Sequence, residues 1–183
     1  MVFIVFVFVT TGVINAQIAT GVWGLHVYHV FSYPGQSWDA ATSDMYSNLG
    51  SSYYLATITS QPEQDFIYSM MTNNNILGEY WLGGYQDPLE TTDPNANWTW
   101  VTYEPWSYTN WFPGEPNDNY GPGSEQHLAI WSNDDWKWND QSYLPNITGY
   151  VAETVIPEPG TFLLLGSGFF GLGILGWFRR RKV

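Results

Sequence analysis

The chain has no cysteine among its 183 residues. That excludes disulfide staples, thiolate metal ligands and thiol chemistry. Positive charge is nearly as scarce: 5 Lys and Arg stand against 17 Asp and Glu, for a formal net charge of −12. Arg179, Arg180, Arg181 and Lys182 cluster at the C-terminus, which leaves Lys137 alone in the body of the chain. A body this acidic repels nucleic acid and anionic lipid and favours cations. Motifs of nucleophilic and nucleotide chemistry are also missing: there is no Gly-x-Ser-x-Gly, no phosphate-cradling glycine loop and no dinucleotide fingerprint. His26 and His29 sit three apart on a predicted strand, so they point to opposite faces and do not make a zinc pair. Aromatic residues, by contrast, make up 19% of the chain and include 11 Trp. Their burial has to supply the stabilisation that disulfides would otherwise give.

Both ends read as addresses rather than as fold. Residues 1–16 open on an almost wholly apolar run, Val2 to Val9, and close on Asn15-Ala16. That pattern predicts a secretory signal peptide, although its basic leader is absent. At the other end, residues 161–178 carry no charge and are followed at once by the basic cluster. Eighteen residues rising about 1.5 Å each nearly cross a hydrocarbon core, so a transmembrane helix is predicted there. The cations hold their end in the cytoplasm and place the body of the chain on the far side. Pro157-Glu158-Pro159 stands just upstream. This motif, the apolar helix and the basic tail together resemble the PEP-CTERM sorting signal of Gram-negative bacteria, spanning residues 156–183. The resemblance implies handling by an exosortase at the inner membrane and delivery to the cell surface or extracellular matrix.

Between the ends lies one domain of roughly 140 residues, enough for a single core. His26 to Tyr33 reads as a strand from its β-branched and aromatic content. Ser37 caps a helix from Trp38 to about Asn48, with Trp38, Ala41, Met45 and Leu49 on one face and Gly50 closing it. Tyr53 to Ile58 is a second strand. Ser60-Gln61-Pro62-Glu63 is a capping box that opens a second helix, whose buried face is Phe66, Ile67, Met70 and Met71. Tyr80 to Gly83 is a short strand. From Gly84 to Gly123 no period is sustained, yet Trp98, Trp100, Trp106 and Trp111 must be buried somewhere. So long a loop inside a compact domain is normally functional. Strands follow at Gln126 to Trp131, Trp136 to Trp138 and Ile147 to Glu153. The order predicts an α+β fold with no internal repeat.

The chemistry gathers late in this domain, at Glu115-Pro116-Asn117, Glu125 and Trp138-Asn139-Asp140. Three carboxylates and two amide carbonyls form a hard, all-oxygen donor set of the kind calcium takes, roughly six to eight oxygens in all. Five side chains leave coordination positions for an outside ligand. Glu125 follows Asn117 by eight residues, and Asn139 follows Glu125 by fourteen. With Tyr80-Trp81-Leu82-Gly83-Gly84, the helix pair and the aromatic loop, these motifs resemble the C-type lectin-like domain over residues 24–153. The departure is cysteine, which that family normally has; His127 stands where one is expected.

The resemblance implies a fold of two helices, small antiparallel sheets and a long loop region. It implies calcium held by Glu115, Asn117, Glu125, Asn139 and Asp140, with Pro116 following a cis peptide bond. It also implies that the same five residues bind carbohydrate: neighbouring hydroxyls accept hydrogen bonds from Asn117 and Asn139 and donate to Glu115 and Glu125. Glu-Pro-Asn goes with mannose, glucose, N-acetylglucosamine or fucose. Glu90, Asp118 and Gln126 fall near the positions of an accessory calcium site. The function expected is therefore a calcium-dependent lectin module binding glycans or glycoconjugates, not an enzyme. Carboxylates that hold an ion are deprotonated and cannot act as general acids. A structural or adhesive matrix protein that uses this fold without sugar is the alternative. Ordinary carboxylates would let go of the ion below about pH 5.

Overall fold

A computed structural model of the chain describes residues 16–89 and 91–157. Most of the predicted signal peptide, the helix at 161–178 and all of the sorting motif except Pro157 lie outside the described residues. Among those described, no helix is long and apolar enough to cross a membrane.

The elements run β1 (Ala16–Trp23), β2 (His26–Ser32), α1 (Trp38–Leu49), β3 (Tyr54–Leu55), α2 (Gln61–Asn73), β4 (Glu79–Gln86), β5 (Trp98–Trp100), β6 (His127–Trp131), β7 (Lys137–Gln141) and β8 (Ile147–Val155). Both helices begin where local chemistry starts them. The Ser37 side chain accepts the Ala40 N–H at 3.1 Å. The Ser60 hydroxyl accepts from the Glu63 N–H at 3.4 Å. The Glu63 carboxylate reaches back past Ser60 and accepts the Thr59 N–H at 2.8 Å. The second helix therefore opens with a capping box stretched by one residue. Gly50 adopts φ 90° at the end of α1, a conformation that disfavours any side chain.

The sheets expected to be small and antiparallel are one connected sheet instead. Its order is β1-β2-β8-β4-β6-β7, with β3 on β8 and β5 on β4. The central β4–β8 pairing is parallel. It joins strands about 70 residues apart, a register that no short-range pattern reveals. The apolar run at the N-terminus hid β1, which pairs with β2 across a bulge between Gln17 and Ala19.

The sheet has a core on each face, set by the period of two along its central strands. Tyr80, Leu82, Leu128 and Ile130 face α2, where they meet Ile67, Met70 and Met71. Trp81 and Ala129 face α1, where they meet Ala41 and Met45. The long loop contributes its tryptophans to the α2 side. Trp138, fully buried, is their hub. Its ring centroid lies 5.6 Å from Trp100, 5.7 Å from Trp106, 5.6 Å from Tyr108 and 5.8 Å from Trp111. Its indole N–H donates to Gln64 Oε1 at 2.9 Å, tying the cluster to α2.

His127 shows what replaces the expected cysteine. Its ring stacks on Trp38 at 4.9 Å and meets the edge of Trp81 at 6.2 Å. Burial pushes its pKa down to about 4, so the ring is neutral and packs as an aromatic.

Truncating the hub should be costly. Trp138→Ala is expected to lose about 3–5 kcal/mol of unfolding free energy, read as a fall in the denaturant midpoint. A loss below about 1 kcal/mol would show that the loop packs without it.

Candidate functional site

Trp138 also positions the strand that carries the site. Its N–H donates to Asn110 O and its carbonyl accepts from Phe112 N, each at 2.9 Å. The loop is thus laid alongside β7 just before Glu115, and the next two residues of β7 are Asn139 and Asp140.

Two carboxylates then clasp the loop. Asp140 is fully buried. Its Oδ1 accepts the Asn117 N–H at 2.9 Å and its Oδ2 the Asp118 N–H at 2.9 Å. Asp118 repeats the device further on. Its Oδ2 accepts from Gly123 N at 2.8 Å and its Oδ1 from Glu125 N at 3.0 Å. Asp118 holds φ 50°, a left-handed turn that Asp tolerates better than most residues. These clasps bring Glu115 and Glu125 together from opposite ends of the loop. The Glu115–Pro116 peptide bond is cis.

Glu115, Asn117, Glu125 and Asn139 line one cavity of about 300 Å³. Asp140 lies behind them, bonded to the Asn117 backbone. Asn117 Nδ2 donates to Glu115 Oε1 at 2.8 Å. Glu125 Oε2 accepts the Asn119 N–H. Glu115 Oε2 is buried, and no N–H or hydroxyl donor reaches it.

Electrostatics follow from this crowding. Burial, a carboxyl–carboxylate hydrogen bond with Asp140 and repulsion from Asp140 and Glu125 push Glu115 up to about 8. Burial and repulsion from Asp140, Asp118 and Glu79 push Glu125 up to about 7, against the pull of the Asn119 N–H. The cavity disfavours its own negative charge and is relieved by protons or by a cation.

The donor set suits a hard cation: oxygen atoms throughout, one of them orphaned, in a site that resists carrying its charge alone. Among the described residues no three His, Asp or Glu side chains form a ready-made metal cage. The side chains that line the cavity and could offer oxygens to an ion are Glu115, Asn117, Glu125 and Asn139, while both Asp140 oxygens are engaged by the Asn117 and Asp118 N–H groups.

The accessory site is not assembled in the same way. Asp118 spends both oxygens on backbone N–H groups, Gln126 Nε2 donates to Thr91 O at 3.1 Å, and Glu90 lies outside the described residues. His26 and His29 have separate partners, Glu153 for one, Thr20 and Tyr53 for the other.

Sequence reasoning missed Glu79. This fully buried carboxylate at the start of β4 accepts from Asn139 Nδ2 at 2.8 Å and from Gln141 Nε2 at 2.9 and 3.0 Å. It fixes the Asn139 amide and its orientation. The one available signal was an acid opening an otherwise apolar strand.

The family profile of the Lectin C-type domain matches residues 37–143. The chain belongs to the C-type lectin domain family. Membership makes it a binding module rather than an enzyme. The lectin domain is 30% identical over 114 residues to human C-type lectin domain family 10 member A, covering 60% of this chain and 31% of that protein. It is 49% identical over 57 residues to pig pulmonary surfactant-associated protein D, covering 30% and 15%. The chain thus spans about a third or less of the length of these curated relatives. Among solved structures, the C-type lectin CEL-I of Cucumaria echinata superimposes with a TM-score of 0.61 at 19% identity, covering 78% of this chain and 99% of that one.

The raised carboxylates give this lectin domain an unusual pH dependence when free of cations. A carboxyl whose pKa rises on folding binds protons more tightly in the folded chain, so stability grows as pH falls through that pKa. Glu153, pushed up to about 7 chiefly by burial, adds the same sign. His127, held neutral, opposes it only below about pH 6.5. In chelator, the melting temperature of the full chain should therefore rise from pH 8 to pH 6.5, and Glu115→Gln should flatten the rise. A melting temperature that falls over this window would contradict the burial of these groups.

Proposed function

We propose that the domain is a calcium-dependent lectin of mannose-type specificity, on an exported protein of a bacterial surface or matrix. Glu115 Oε2 carries the reading: a buried carboxylate oxygen that no N–H or hydroxyl donor reaches, beside Asp140 in a cavity that resists its own charge. Glu115, Asn117, Glu125, Asn139 and Asp140 are the residues that would hold calcium. The bound ion supplies positive charge and open coordination positions for hydroxyl oxygens.

The chain's own groups complete a sugar site. Each amide NH₂ carries two hydrogens. Asn117 gives one to Glu115 and Asn139 gives one to Glu79, which leaves one on each for a hydroxyl oxygen. Glu115 and Glu125 accept hydroxyl protons in return. Such charge-assisted bonds are shorter and stronger than neutral ones. The acid at 115 and the amide at 117 place donors and acceptors in the Glu-Pro-Asn order associated with mannose, glucose, N-acetylglucosamine and fucose. Calcium would displace protons from Glu115 and Glu125, so its hold weakens as pH falls through about 8 to 7, well above the ordinary carboxylate range. Residues 156–183, with Pro157, Glu158 and Pro159 at their head, support export by an exosortase route.

The test uses the full chain in detergent on a mannose column. Calcium should retain it, a chelator should release it, and Asn117→Asp should lose retention by replacing a donor with a charge. Calcium uptake without retention would favour a structural or adhesive role. Undiminished retention of Asn117→Asp would refute the hydrogen-bond scheme.

A further inference from the structure

The cavity that holds the five residues does not end with them. It continues past Asn119 and Asn146 to Tyr120. Both asparagines line the cavity, and neither amide side chain is engaged by a hydrogen bond among the described residues. At its rim the Tyr120 ring meets the Tyr143 ring, with centroids 5.8 Å apart and planes 31° apart. Both rings are largely open, 57% and 45% exposed.

Two exposed tyrosines brought together from separate loops are not the scattered apolar exposure of an ordinary surface. Each is set by the machinery of the site. Tyr143 N–H donates to Gln141 Oε1, and Gln141 is itself held by Glu79. Tyr120 sits in the turn that closes with Gly121 N donating to Asp118 O at 2.8 Å. The backbone that carries each ring is therefore held, and the two rings rest against each other. A hexose gripped through two neighbouring hydroxyls occupies the acidic end of the cavity only. The C–H face of a further pyranose suits the electron-rich face of an aromatic ring, and its hydroxyls suit free amides.

We propose that Tyr120 and Tyr143, with Asn119 and Asn146, form a second subsite for the next residue of a sugar chain. The ligand is then an oligosaccharide, recognised over at least two rings. This rests on the sugar-binding reading above.

The experiment is calorimetric titration of the full chain, in detergent with calcium, using methyl α-mannoside and a panel of differently linked mannobioses. At least one mannobiose should bind roughly 3- to 10-fold tighter than the mannoside. Tyr120→Ser/Tyr143→Ser should bring that ratio close to one, whereas Tyr120→Phe/Tyr143→Phe, which keeps the rings, should preserve it. Equal affinities in the wild-type chain, or a ratio that survives the serine variant, would overturn the subsite and leave the mannose site standing. Absence of binding by every sugar to the wild-type chain would overturn both.

Discussion

The Asp140 carboxylate joins loop to sheet, and the site depends on that junction. Fully buried, it accepts the backbone N–H groups of Asn117 and Asp118 from a loop that otherwise has little regular structure. Buried donors and acceptors left unmade cost about 1–3 kcal/mol each, so the pairing dictates where the loop lies. Two residues earlier, Trp138 is sunk in the aromatic cluster and bridged to the loop backbone, so the strand that presents Asp140 cannot shift. Asp118 extends the device to Glu125. What remains after these clasps is a set of side-chain oxygens from Glu115, Asn117, Glu125 and Asn139 around one cavity.

The same clasp creates the site's tension. Drawing Glu115 against Asp140, with Glu125 nearby, holds carboxylates where burial and mutual repulsion favour protonation. A chain with 17 Asp and Glu against 5 Lys and Arg has little positive charge to offer in relief, and Lys137 is the only Lys or Arg among the described residues. A domain without disulfides must bear this strain through packing alone. It does so with aromatic contacts: Trp138 and its ring of neighbours under the loop, and the Trp38–His127 stack beneath β6. The long loop thus lies over the buried tryptophan cluster.

Features with local causes were legible in the sequence. Ser37, Ser60 with Pro62, and Gly50 mark helix ends because caps are settled within three or four residues. The buried faces of both helices followed from their period. The five oxygen-bearing residues stood out by spacing, and the structure brings Glu115, Asn117, Glu125 and Asn139 to one cavity with Asp140 behind it. Features with distant causes were not legible. The parallel β4–β8 register joins remote segments, and β1 is masked by the apolar run before it. Glu79 shows the limit most clearly: its meaning lies in Asn139 and Gln141, about 60 residues away. The raised Glu115 and Glu125 were equally hidden, because carboxylates read one at a time carry ordinary values, and only their burial together moves the titration from about pH 5 towards neutrality.

The central claim is that this crowded oxygen cradle is completed by a divalent cation in exchange for protons. Calorimetric titration of calcium into the full chain at pH 7, repeated in buffers of different ionisation enthalpy, tests it most directly. One saturable site that releases protons on filling, and that Glu115→Gln weakens, is the result expected. Absence of heat in every buffer, or saturable binding with no proton release and no response to Glu115→Gln, would contradict the account.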